Sequence, residues 1–376
     1  MNIDNGLSLR AQPQEQEFRM HPQRTSARFP HLTAPAATLD QPKLRSARRL
    51  GLFGLFGLLS LSALSALGAL GAPGAAQAQP QTARILVGFP AGGGTDAIAR
   101  LLAERLKDEL GQAVIVENKP GAGGQLAAQA LKAAAADGLT VMLSHDHTVS
   151  IIPLTIKNPG FDPTKDFVAV AGMGTFVNAL ALSTRTGPAG GFQDYLGSVR
   201  AAGGKGAVGV PAPASLPEFS VKALADRYKL DLVAVPYRGS APMIADLLGG
   251  QITAGTGSIP DFIEHHKAGR LKVVAVMGSQ RDKTMPEVPT FAELGVKGFE
   301  EVPYYGLFAP AGTPRAALDK WSQALARVLA RADVQDKLSA MGITVGHMSG
   351  EQLAQRERSY AMAWSQVIKA SGFVPQ

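Results

Sequence analysis

The 376-residue sequence predicts an α/β fold in which two open sheets face each other across a cleft. Three observations predict it. From Arg84 onward, short apolar runs alternate with segments of helical period. This alternation occurs twice, once near residues 80–178 and again near 179–278. The first apolar run, Ile85-Leu86-Val87-Gly88-Phe89, ends in the glycine-rich corner Pro90-Ala91-Gly92-Gly93-Gly94-Thr95-Asp96. Short apolar strands joined by helices imply parallel sheets covered on both faces. Such sheets take ligands at the carboxyl ends of their strands, and a facing pair leaves a small-molecule site between domains.

Residues 1–49 are polar, rich in Pro, Gln and Arg, and without period, a composition that does not form a core. Arg48-Arg49, the apolar stretch from Leu50 to about Ala72, and Ala76-Gln77-Ala78 then make a secretory signal. The paired arginines and glycine-diluted apolar segment lean toward the twin-arginine route. The competing reading is an uncleaved anchor of just spanning length. Met20 is an alternative start. The reading places 1–78 in a leader and signal peptide, 79–178 with 279–376 in lobe I, and 179–278 in lobe II. The mature chain is therefore expected in the periplasm, after cleavage.

Composition excludes several functions. The chain has no cysteine, hence no disulfide framework and no thiolate metal site. The net charge of +7 divides into +4 on residues 1–78 and +3 on the rest, too little to suggest nucleic-acid binding.

Along the mature chain, Arg84–Phe89 reads as a strand and Asp96–Leu110 as a helix. Ile98, Leu101, Leu102, Leu106 and Leu110 lie on one face, and Arg100, Glu104, Lys107 and Asp108 on the other. Thr95 or Asp96 is expected to cap it. Three glycines before the cap leave peptide N–H groups bare at the positive end of the helix dipole, a seat for a small anion. Val114–Glu117, Thr140–Ser144, Val168–Ala171 and Ala179–Ser183 read as strands, with an Ala-rich helix over Gln125–Ala136. In the second series, strands at Ala207–Val210, Leu232–Pro236, Ile252–Ala254 and Val273–Met277 alternate with helices at Pro217–Tyr228, Pro242–Leu248 and Pro260–Ala268. Tyr305–Ala309 is a strand, and helices from Thr313, over Asp333–Met341 and over Glu351–Ala370 return to the first half.

The corner also satisfies a dinucleotide fingerprint, Gly92-x-Gly94-x-x-Ala97, with Glu117 about twenty residues on. That supports an exported nucleotide-cofactor oxidoreductase as the alternative. Against it, Asp96 puts negative charge where a pyrophosphate needs room, and Pro90-Ala91 lengthens the turn. His145 and His147, alternating after a strand end, suit one pocket as base or metal ligands; the competing reading is a polar rim loop. Ser215, after Pro211-Ala212-Pro213-Ala214, either meets a ligand or only caps a helix. Tyr304 and Tyr305 either line the cleft or pack at the hinge. There is no Gly-x-Ser-x-Gly elbow, and histidines are too few for a hydrolytic triad.

In this order, several motifs resemble the periplasmic solute receptors of tripartite tricarboxylate transporters, the Bug receptors, over about residues 84–370. They are Gly88 to Asp96, Val116-Glu117-Asn118-Lys119-Pro120-Gly121-Ala122-Gly123-Gly124 and Phe161-Asp162-Pro163-Thr164-Lys165-Asp166-Phe167. Val235-Pro236-Tyr237-Arg238-Gly239-Ser240-Ala241-Pro242, Asp246-Leu247-Leu248-Gly249-Gly250-Gln251, Val288-Pro289-Thr290 and Tyr305 to Pro314 complete the set. The resemblance implies a type II periplasmic-binding-protein fold that closes by hinge motion on a small organic anion, usually a carboxylate. It implies no catalysis, and delivery of the ligand to membrane permease subunits, or in a third reading sensing for a membrane kinase. A monomer without metal, cofactor or nucleic acid is expected.

The implied ligand contacts are Phe89, Pro90, Ala91, Gly92, Gly93, Thr95, Asp96, His145, His147, Ser215, Gly257 and Tyr305. In this reading Asp96 reaches a ligand hydroxyl or amine. The chain departs from the resemblance at Pro211, Pro213 and Pro217, which remove N–H donors, and at Glu218, where relatives carry histidine. It departs also at Gly257, where many carry an acid, and in the loop of His145 and His147. A corner poorer in donors points to an aromatic or amphipathic carboxylate, or another polar ligand, rather than a plain dicarboxylate.

Overall fold

The computed structural model describes residues 81–376. The leader, the signal segment and Met20 lie outside the described residues. Among the described residues no helix is long and apolar enough to cross a membrane.

The chain begins with β1 (Ala83–Val87), α1 (Gly94–Leu110), β2 (Val114–Asn118), α2 (Gln125–Lys132) and β3 (Thr140–His145). Two short helices, α3 (Ile152–Thr155) and α4 (Pro163–Asp166), lead into β4 (Phe167–Thr175). The chain then crosses at Phe176-Val177 into a second sheet. There β5 (Asn178–Ser183), α5 (Phe192–Ala201), β6 (Lys205–Val210), α6 (Leu216–Tyr228) and β7 (Asp231–Pro236) are followed by α7 (Ser240–Gly249), β8 (Ala254–Ser258), α8 (Ile259–Lys267) and β9 (Leu271–Val276). It returns through residues 277–303 to β10 (Tyr304–Pro310), α9 (Arg315–Ala330), α10 (Ala332–Ala340), β11 (Thr344–Ser349) and α11 (Gly350–Ala370). The strand orders are β11-β4-β10-β3-β1-β2 and β7-β6-β8-β5-β9.

Both sheets are mixed, which corrects the expectation of parallel sheets. β10 runs antiparallel to β3 and β4, and β5 antiparallel to β8 and β9. These strands stand next to the crossings between sheets. A strand buried on both faces is an apolar run whichever way its neighbours point, so hydrophobic pattern carries no sign of direction.

Helix α1 shows why the first half holds together. Ile98, Leu102, Leu106 and Leu110 are buried, while Arg100, Glu104, Lys107 and Asp108 are exposed. The buried face joins Ile85 and Val87 of β1 and Trp321, Leu325 and Val328 of α9 in one core. Each such side chain contributes about 1.5–3 kcal/mol on burial. Gly111, at φ +65°, ends the helix and donates its N–H to the Lys107 carbonyl. On the sheet's other side, Leu353, Tyr360 and Trp364 of α11 are buried, and a side chain at Gly306 would have to displace the Leu353 side chain.

The two crossings are tied together: Phe176 donates its N–H to Pro303 O (3.2 Å), and Met277 donates to Asn178 O (2.7 Å). They form the narrow waist between the sheets, with β5 starting at its edge.

Candidate functional site

A cavity opens where the two sheets meet. Its lobe I wall holds Phe89, Pro90, Gly93, Gly94 and Thr95 from the glycine corner, and His145, Asp146 and His147 from the end of β3. Phe176 and Asn178 of the first crossing form its floor. From the second sheet come Pro211, Ala212 and Ser215 to Pro217 at the start of α6, Ser240 at the start of α7, and Ser258 and Asp261 at the start of α8. The amino ends of α1, α6, α7 and α8 therefore converge on one small space of about 40 Å³.

Of the residues anticipated from sequence, Phe89, Pro90, Gly93, Thr95, His145, His147 and Ser215 line this cavity. Ala91 is exposed beside it. Gly92 sits at φ +86°, a turn that favours glycine, and lines a separate groove. Gly257 is packed in the second sheet's core, against Met243 and Phe262. Tyr305 is fully buried one layer back, its hydroxyl 3.1 Å from Thr95 Oγ1. Burial raises the Tyr305 pKa, so the phenol stays protonated.

The corner differs from the bare anion seat that the glycines suggested. The helix cap is Gly93, with no side chain bonded to it, rather than Thr95 or Asp96. Gly92 donates its N–H to Asp96 Oδ2 (3.0 Å). Gly94 donates its N–H across the cleft to Asp261 Oδ1 (2.8 Å). Gly93 donates its N–H to Pro90 O (3.4 Å), so all three glycine amides are already engaged. The N–H of Thr95, next in the first turn, has no partner within a helix.

Asp96 is 3% exposed and does not line the cavity. Besides Gly92, it accepts from Arg100 Nε (2.9 Å) and Asn118 Nδ2 (2.9 Å), and Arg100 Nη2 stands 2.9 Å from its Oδ1. Asn118 also donates to Phe89 O (3.0 Å). Burial alone would raise the Asp96 pKa, but the bonds from Arg100, Gly92 and Asn118 outweigh it and hold the carboxyl below its ordinary value. Asp96 therefore binds the corner to β2, and its oxygens are taken. Glu117, near the end of β2, pairs with Lys119 just beyond the strand (2.7 Å).

His145 and His147 share the cavity wall, but not through extended alternation. β3 ends at His145, and His147–Ile151 form a buried π-helical turn in place of the expected polar loop. His145 stacks on Phe89 with centroids 4.8 Å apart and meets the edge of Phe176 at 6.0 Å. Its Nδ1 accepts the His147 N–H (3.4 Å). Burial first, and His145 second, push the His147 pKa down to about 4, so this ring is neutral at pH 7. Asp146 accepts from the Tyr360 hydroxyl (3.0 Å) of α11.

Ser215 caps α6: its hydroxyl donates to Ala212 O (2.6 Å) and accepts from Glu218 N (3.4 Å), while Glu218 accepts from Ala214 N. Glu218 thus closes the cap from inside the helix, holding the residue before Ser215. Asp261 escaped sequence reasoning. It lies in the first turn of α8, one helical turn beyond Gly257, and accepts from Gly94 and from the hydroxyls of Ser240 (2.7 Å) and Ser258. An Asp three residues after a Ser at a helix start was the available signal, and it reads equally well as a local cap.

Comparison with known proteins agrees with this geometry. Residues 98–373 match the family model for the tripartite tricarboxylate transporter family receptor. The chain is similar to protein BugT of Bordetella pertussis, 29% identical over 77% of this chain and 89% of that one. Among solved structures it is similar to MatC from Rhodopseudomonas palustris with bound malate, at 30% identity and TM-score 0.70, covering 76% of this chain and 98% of that one. It is similar too to an R. palustris protein with adipate, at 28% identity and TM-score 0.74, covering 79% and 99%. With two mixed α/β sheets around a waist and a match over most of its length, the chain belongs to the tripartite tricarboxylate transporter receptor family.

Proposed function

We propose that this chain is an exported, non-catalytic receptor that closes its lobes on a small carboxylate-bearing solute and delivers it to membrane permease subunits. The carrying observation is the convergence of four helix amino ends on a cavity built from both sheets. Each end carries a partial positive charge, and the Thr95 N–H at the start of α1 is the seat for the carboxylate. Relatives solved with malate and adipate support this class. His145, Phe89 and Phe176 supply apolar and aromatic wall against the rest of the solute. Lobe I is residues 79–178 with 279–376, lobe II residues 179–278, and closure is a hinge motion at the two crossings.

The test is calorimetry with short mono- and dicarboxylates, with and without an amino group, combined with small-angle scattering. A binder should shift the population toward the closed arrangement and contract the particle. Binding without contraction, or no binder in the set, overturns the reading.

A further inference from the structure

The cavity wall is short of positive charge. No lysine or arginine lines it among the described residues; Arg238 lines the neighbouring surface groove instead. Two carboxylates do line it, Asp146 and Asp261, both buried. An anion entering this space adds to their charge where water and salt screen little. The wall groups that can become cations are its two histidines. Burial holds His147 neutral at pH 7. His145 is the other, its side chain 16% exposed and beside the Asp146 carboxylate.

The neighbours of His145 Nδ1 are of opposite kinds. The His147 N–H stands 3.4 Å away and Asp146 Oδ1 3.3 Å away. A neutral ring with its proton on Nε2 accepts the first, a long bond, and turns a lone pair toward a carboxylate. With a proton on Nδ1 as well, the ring donates to Asp146 in a charge-assisted bond, and Nε2–H remains for the solute. Tyr360 already donates to Asp146 Oδ2 (3.0 Å), so Oδ1 is the oxygen left for the ring. Phe89 stacks on the imidazole at 4.8 Å, and Phe176 and Tyr305 meet it at right angles, fixing its plane. Among the described residues no three His, Asp or Glu side chains gather to hold a metal ion.

We propose that loading takes up one proton from solvent at His145, placing an imidazolium between Asp146 and the bound anion. This rests on the receptor reading above. The proton joins Nδ1 and no other bond changes. An opposite charge within about 4–6 Å favours the charged form of a titratable group. Asp146 supplies one such charge and the solute the second, so the proton is held most firmly in the loaded state. The other groups around the ring bring no free cation. Tyr305 of β10 and Tyr360 of α11 stay protonated and neutral. Asp261 of α8 and Glu218 of α6 are acids, and Asp96 pairs with Arg100 on α1. On α11, Arg356 pairs with Glu301 (3.2 Å), and Glu357 is a further acid.

The probes are propanoate, succinate, malate and adipate, titrated calorimetrically into the full mature chain. For the tightest of them, binding heats at pH 7.5 in HEPES and in Tris give the protons exchanged per solute. The proposal expects uptake of about half to one proton, and so an affinity about three- to tenfold weaker at pH 8.5 than at pH 7.5. In His145→Gln, which keeps a hydrogen-bonding amide, uptake and pH dependence should both vanish. Nitrogen NMR of the histidine-labelled chain reads the same event in the wild-type protein: both ring nitrogens of His145 should move to imidazolium positions on loading. Binding without proton uptake overturns the proposal, as does a His145 ring that stays neutral in the loaded chain. Uptake that persists in His145→Gln overturns it too, and places the proton on Asp146, Asp261, Glu357 or the solute. No binding by any of the four probes removes the receptor reading itself, a different failure.

Discussion

Gly94→Ala is the sharpest perturbation of closure that leaves each lobe intact. Gly94 is the first residue of α1, in ordinary backbone geometry, so alanine does not strain its own helix and is the better helix former. Its Cβ would stand 2.8 Å from Pro260 Cβ and 3.0 Å from Asp261 Oδ1, both on the opposite lobe. Ordinary contact begins at 3.4 Å, so the lobes must part by about half an ångström at the start of α8. The bond from the Gly94 N–H to Asp261 lengthens from 2.8 Å and loses most of its worth, about 1.5–3 kcal/mol for a bond to a charged group. That cost falls on the closed state alone. Converted at 1.4 kcal/mol per decade, it predicts solute affinity about 10- to 100-fold weaker. Calorimetry reads the affinity, and thermal unfolding should stay within about 2 °C of wild type. Unchanged affinity would show that α1 and α8 do not meet in the bound state. A matching collapse in thermal stability would place Gly94 in the fold rather than in closure.

Three further outcomes follow from the buried ionisable groups. Asp96→Ala leaves Arg100, Asn118 and the Gly92 N–H without their acceptor and should cost about 2–4 kcal/mol of stability by denaturant titration. Because the Asp96 pKa is lowered on folding, its contribution is present above the unfolded value of about 3.9 and disappears as pH falls through the lower folded value. An Asp96→Ala chain as stable as wild type at pH 7 would contradict this. His147 shifts down to about 4 from an unfolded value near 6.5, so the unfolded chain takes the proton first. Stability is full above pH 6.5 and declines toward pH 4, by up to about 3 kcal/mol; denaturation at pH 7 and 4.5 should show the loss, and His147→Gln should flatten it. Burial raises the Glu357 pKa to about 7, so its contribution is greatest below the unfolded value and falls as pH rises through 7. Glu357→Gln should therefore raise the melting temperature at pH 8 and leave it unchanged at pH 5.

The first half of the fold was legible because each signal there is local. Strand, glycine corner and amphipathic helix follow one another in thirty residues, and the buried face of α1 is the one its period marks. Besides the one-turn helices α3 and α4, two elements went unread. β11 is an edge strand, largely exposed, with Gly346 and His347 in its middle, so it shows no apolar run. α5 buries Phe192, Leu196 and Val199 at helical spacing, but a run of Gly and Pro before it and Gly197 within it hide the period. The site was read through its lobe I half for the same reason. The glycine corner and His145 are contiguous with a strand end, whereas Asn178, Ser240, Ser258 and Asp261 come together only when the second sheet folds over the first. The resemblance offered Asp96 to a ligand hydroxyl or amine; in the structure its partner is Arg100, one turn along the same helix. Asp261, which does face the corner, lies 167 residues from Gly94, and no local pattern pairs them.

A crystal structure of the mature chain soaked with its tightest calorimetric binder tests the central claim most directly. The account predicts a carboxylate between the lobes against the Thr95 N–H, with His145 beside the solute's body. A solute bound outside this cavity, with Gly93 to Thr95 touching only protein, would contradict it.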